Sequence, residues 1–221
     1  MKRLMYLGVL LLVTGCSSAP PVPDWLNASS NQLETYKKSY LGGKDKIAAL
    51  QFKSAVAEVK KSGDLEVLGR TYLIRMALET AVLADMENAE YLKIATVSPN
   101  RQNGNFYFFL NGKLEQTDVD LLPSQYRDFA SALKSGGGPG DRLRAIEKMN
   151  DPLSRLIAIG ILVRLHQDDE ALLKKAVETA SAQGWKKALL VYLSRLKSLH
   201  EAKQDRSQAQ AVSDRLELIR D

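Results

Sequence analysis

One cysteine, two histidines and two tryptophans are all that this 221-residue chain contains of those types. With only Cys16, no intrachain disulfide can brace the fold, so stability must come from packing. Two histidines and one thiol supply a zinc site or a nucleophilic triad poorly. Long hydrophobic runs are also missing. The longest, Leu4 to Val13, is interrupted by Gly8 and is about half of the roughly 20 residues a helix needs to cross a bilayer. An excess of one charge sign is lacking too: 31 basic residues face 26 acidic ones and are interspersed with them, as in Lys174-Lys175 before Glu178. Such patterning reads as solvated helix faces, and nucleic acid is not implied as a partner.

What is present begins at the first residue. Lys2 and Arg3 form a positive start, Leu4 to Val13 an apolar core, and Thr14, Gly15 and Cys16 a small-residue close. That order is the layout of a secretory signal peptide. Removing residues 1–15 takes Lys2 and Arg3 away and lowers the net charge from +5 to about +3. Ser17 to Pro23, with three prolines, has little to bury and reads as an extended tether of about 20 Å, at roughly 3 Å per residue. We assign residues 16–30 to the cysteine and this flexible segment.

Leu12-Val13-Thr14-Gly15-Cys16 resembles the lipobox of bacterial lipoproteins, with Val13 where leucine is commoner. The resemblance implies that Cys16 becomes the first mature residue and carries a diacylglycerol thioether and an N-acyl chain, palmitate being typical. Two or more chains give stable anchoring, at about 0.8 kcal/mol per buried methylene. In Gram-negative members an aspartate after the cysteine favours inner-membrane retention. Ser17 stands there in this chain, so the resemblance implies the periplasmic face of the outer membrane.

Residues 31–95 read as helical. Ile47, Leu50, Ala55 and Val59, with Ala48, Phe52 and Val56, form one apolar stripe over Lys46 to Lys61. Ser62-Gly63-Asp64 stops that helix and caps the next, which starts at Leu65 and either runs unbroken to Ile94 or bends near Asp85. Ala48, Phe52 and Ala55, followed by Leu65, Leu68, Gly69 and Tyr72, resemble the tetratricopeptide repeat, in degenerate form. Ala48 to Ala81 spans 33 residues, against a family period of about 34. No helix breaker lies between Tyr72 and Ala81, and the family's proline is absent near Lys60. The expected fold is all-α, an antiparallel helical array of the tetratricopeptide or α-solenoid kind or of another helical kind.

Residues 96–122 differ in character. Phe106-Tyr107-Phe108-Phe109-Leu110 has strand-like composition, and Asn111-Gly112 is the strongest short hairpin signal. The segment predicts a small β-hairpin or ordered loop near 104–117. Its aromatics either cover the core or, where exposed, dock a partner, which makes Phe106, Tyr107, Phe108 and Phe109 the candidate partner-binding residues. Residues 123–221 return to helix. Pro123, Asp141, Asn150-Asp151-Pro152, Gln183-Gly184 and Lys203-Gln204-Asp205 punctuate it, and Ser135 to Gly140 is the best internal boundary.

No catalytic constellation is compelling. Gly136 to Gly140 lacks the lysine and hydroxyl of a phosphate loop. Ser194 and Lys197 have the spacing of a serine acyltransferase pair but lie mid-helix without companion motifs. His166 with Asp168 and Asp169 reads as a helix end followed by a cap, and His200 as a surface residue near the end of its helix. Glu79 is the acid to examine first, with Arg75 one turn earlier as an ion-pair partner. The expectation is therefore a lipid-anchored, non-enzymatic interaction or assembly protein of the pilus, secretin or barrel-assembly type, with no cofactor and no metal. Its partners are the membrane, through Cys16, and one or more envelope proteins. The alternatives are a peptidoglycan-acting enzyme or its activator, and a structural subunit of a larger envelope assembly.

Overall fold

A computed structural model describes residues 22–220, in which eleven α-helices and two short 3-10 turns form one packed array. The fold is all-α, as the periodicity predicts. Cys16 and most of the expected tether lie outside the described residues. The tether's expected end at residue 30 lies within helix α1 (Asp24–Leu41), whose first turns bury Ser29 and pack Trp25 against the core.

A three-residue turn joins α1 to α2 (Asp45–Lys60), and the two form a helical hairpin. Ala48, Phe52, Ala55, Val56 and Val59 of the expected stripe are buried, whereas Ile47 and Leu50 are exposed at 48% and 61%. Helix α3 (Leu65–Ala81) starts at the expected cap, where Asp64 accepts the Val67 N–H at 3.0 Å. It ends at Val82, with Leu83 in the left-handed region (φ 55°), so the chain turns before Asp85 and resumes in α4 (Ala89–Val97).

The hairpin expectation for 104–117 is overturned. Phe106 to Leu110 forms the second half of α5 (Arg101–Leu110), which Asn100 caps by accepting the Asn103 N–H at 2.9 Å. Asn111-Gly112 makes a turn, but a helix-terminating one. Gly112 (φ 68°) donates its N–H to the Phe109 carbonyl, and Lys113 donates to Phe108, both at 2.9 Å. Positive φ serves a helix stop as well as a hairpin. The aromatic run becomes helix because positions three apart, Phe106 and Phe109, meet Tyr126 and Phe129 on one side. Strand propensity reflects packing on a pleated surface, and no sheet is present among the described residues. Two 3-10 turns, 114–116 and 119–121, lead to α6 (Ser124–Lys134).

The glycine run is only the turn into α7 (Pro139–Glu147), where Asp141 accepts the Gly138 N–H at 3.1 Å, and α6 and α7 pack together. Helices α8 (Pro152–Arg164), α9 (Glu170–Ala182), α10 (Lys186–Ala202) and α11 (Arg206–Ile219) follow the expected punctuation. Asp151, Asp169 and Asp205 cap α8, α9 and α11 through the N–H groups of Ser154, Leu172 and Gln208.

The two most buried helices, α3 and α8, cross at the centre. A Cβ on Gly160 would lie 2.1 Å from the Thr80 carbonyl oxygen, so only glycine lets the backbones approach this closely. One hydrophobic cluster runs from Tyr36 of α1 to Leu216 of α11.

Candidate functional site

The acid singled out by sequence lies in a cleft of 370 Å³ between α1, α2, α3 and the start of α10. Tyr36, Tyr40 and Phe52 form its aromatic wall, with Tyr36 centred 5.0 Å from Phe52 and 5.6 Å from Tyr40. Arg75 lies over Phe52 and Tyr72, at 5.1 and 5.4 Å from the ring centres. The expected Arg75–Glu79 pair is present but long, 3.6 Å from Nε to Oε1. Glu87 binds Arg75 more closely, through its carboxylate at 3.1 Å and its carbonyl at 2.8 Å, and its N–H reaches Glu79 Oε2 at 3.0 Å.

Burial pushes the Glu79 carboxyl above the ordinary glutamate value, against the opposing pull of the Glu87 N–H and Arg75. Burial also raises Tyr36, and raises Tyr40 to about 12, so both phenols stay protonated. At the mouth, Lys187 pairs with Asp45 at 2.7 Å and stands 4.0 Å over the Tyr40 ring. The aromatic faces and the carboxylates of this cleft are thus engaged by the chain's own cations. The arrangement ties the N-terminal helical hairpin to α3 and α10.

A second cleft, of 410 Å³, opens between α3, α5 and the start of α6. Leu73 and Ile74 of α3, Phe106 of α5, and Leu121, Leu122 and Pro123 before α6 make its apolar lining. Arg70, Arg127, Gln102 and Asn103 supply the polar groups, and no acid among the described residues lines it. Arg127 Nε donates to the Leu122 carbonyl at 2.9 Å, while its terminal nitrogens have no partner among the described residues.

The four candidate partner-binding aromatics divide between core and surface. Phe109 is fully buried and cannot meet a partner. Tyr107 stacks on Tyr91 at 5.0 Å, and its hydroxyl accepts from Asn88 Nδ2 at 3.3 Å. Phe108 is half-buried, edge-on to Tyr107 at 5.9 Å. Phe106, half-buried, is the one that lines a cleft. None of the cleft's other members was singled out by sequence as a binding residue. Arg70 comes from α3, and Pro123 and Arg127 from the start of α6, and no local pattern marks the meeting of these two segments.

The remaining candidates take structural roles. Ser194 donates its hydroxyl to the Leu190 carbonyl one turn back, and Lys197 lies 3.7 Å from Glu201. His166 is exposed in the left-handed region (φ 56°), and Asp169 caps α9 as expected. Asp168 instead holds Arg195 through two bonds of 2.8 and 3.1 Å. His200 is not at the surface. It is 2% exposed at the groove between α9, α10 and α11, and both ring nitrogens lack a partner among the described residues. Among the described residues no cluster of three or more His, Cys, Asp or Glu side chains could hold a metal ion, and no helix is long and apolar enough to cross a membrane.

Set against protein-family models, curated proteins and solved structures, the chain matches none.

Proposed function

We propose that this chain is a lipid-anchored protein of the bacterial outer membrane, on its periplasmic side, whose helical body binds another envelope protein. The anchor rests on the lipobox-like Leu12 to Cys16 and on Ser17 after it. The observation that supports binding is the cleft between α3, α5 and α6, where half-buried Phe106 stands among apolar side chains and two arginines. Its volume falls within the range of about 300–1,000 Å³ usual for ligand sites, and its groups suit recognition of another molecule. By this reading Phe106 is the partner-facing residue of the aromatic run, and Tyr107, Phe108 and Phe109 hold α5 in place behind it.

The anchor is tested with Cys16→Ala in cells fed a labelled fatty acid. The variant should lose the label and accumulate as uncleaved precursor, whereas normal labelling and processing would refute lipidation. Binding is tested with a photo-crosslinking amino acid at Gln102, an exposed position in the cleft wall. It should yield a discrete crosslink to an envelope protein, absent when the probe sits at exposed Leu50 on α2. A muropeptide-release assay separates the rival reading: turnover abolished by Glu79→Gln would replace binding with peptidoglycan chemistry.

A further inference from the structure

We propose that the α3–α5–α6 cleft receives an acidic segment of a partner protein, inserting one large apolar side chain between flanking carboxylates. This deepens the binding reading above and rests on it. The floor is apolar, made by Leu73, Ile74, Phe106 and Leu122. An extended segment that inserts one side chain there places its neighbours at the rim, where the charged groups are Arg70 and Arg127, without an acid in the lining. Arg70 is held by Glu66 at 2.7 Å on the exposed face of α3, a pair of little strength in water. Arg127 carries the stronger argument. Its guanidinium is held by one bond to the Leu122 carbonyl at the cleft edge, and its terminal nitrogens have no partner among the described residues. A guanidinium oriented in this way offers a carboxylate a fork of parallel donors at little further ordering cost. A basic segment would meet two like charges, and the carboxylate at hand, Glu66, is already paired with Arg70.

The cleft across α1–α3 differs in this respect. Its lining carries Asp45, Glu79 and Glu87 beside Lys53, Arg75 and Lys187, with the acids already paired, so it offers no net preference.

The test uses the full-length protein in detergent and the peptide acetyl-Asp-Glu-(4-fluorophenylalanine)-Glu-Asp-amide, followed by 19F line broadening and by the methyl resonances of the protein. Saturable binding should move the Ile74 methyl signals and leave those of Ile47, exposed on α2, in place. Replacing the four acids by lysine, or fluorophenylalanine by alanine, should weaken binding at least tenfold. Arg127→Glu should do the same, and Arg70→Glu to a smaller degree. Both arginines are exposed, so the variants should keep the far-ultraviolet circular dichroism of the parent. Equal binding of the lysine peptide, no movement at Ile74, or unchanged affinity in Arg127→Glu would each overturn the proposal. So would tight binding of decanoate that the acidic peptide cannot displace, because the occupant would then be a small carboxylate amphiphile. Any of these results beside a persisting Gln102 crosslink removes only the acidic-segment assignment. Loss of the crosslink itself removes the underlying binding reading.

Discussion

Glu79 is the residue at which sequence and surroundings pull hardest against each other. A carboxyl on a helix facing the core is costly to ionise, and burial raises its folded value above the ordinary 4.5. Between the unfolded and the raised folded value the native state binds more protons than the unfolded one. Stability contributed through this group is therefore present below the unfolded value and is lost as pH rises through the folded one. Glu79→Gln removes that slope. In urea titrations the wild type should gain on Glu79→Gln as pH falls from 7 toward 4.5 and track it below; a difference independent of pH would show that Arg75 and Glu87 fully offset the burial. Arg75 four residues before Glu79 was legible as an ion pair. Glu87 was not, because it reaches the site from the loop after α3, a placement that depends on where Leu83 turns the chain.

At the scale of elements, the aspartate caps were readable because an N-cap is local: Asp64, Asp151, Asp169 and Asp205 each satisfy an N–H three residues on. The aromatic run was not readable in the same way. Asn-Gly specifies a positive-φ turn without saying which element precedes it, and α5 is helix only because its side chains fit between Tyr91, Tyr126 and Phe129. Glycines show the same division. Gly104 in α5 has open space where a Cβ would stand, whereas Gly160 in α8 has the Thr80 carbonyl at 2.1 Å. Gly104→Ala should stabilise the protein by about 0.5–1 kcal/mol, the ordinary helix-propensity gain. Gly160→Ala should destabilise it by roughly 2–4 kcal/mol despite the same gain, since α3 and α8 must separate. Chemical denaturation of both variants checks the opposite signs.

Across the whole molecule, stability should fall off from the α3–α8 crossing outward. Nearly every residue of α8 from Ser154 to Leu162 is buried, and α3 is buried over most of its length, whereas α11 packs chiefly on α10 and buries only Ala209, Val212 and Leu216. Native-state hydrogen exchange should find the slowest amides in α3 and α8 and the fastest helical ones in α11. Equal protection throughout would show that the array opens only as one unit. His200 lies along the boundary with α11, a buried histidine that sequence placed at the surface, because the α10 pattern does not reveal which helix will cover it.

By itself the sequence determined the all-α class, most of the helices other than α5, the aspartate caps and the resemblance of residues 12–16 to a lipobox, because periodicity, caps and apolar run length are properties of neighbouring residues. Tertiary structure alone decided that Phe106 lines a cleft while Phe109 fills the core, that Arg127, bonded to the Leu122 carbonyl, lines the same cleft as Phe106, and that Gly160 must be glycine. Each of those outcomes depends on which distant helix arrives at the residue, and the physics of contact acts only once the helices have met.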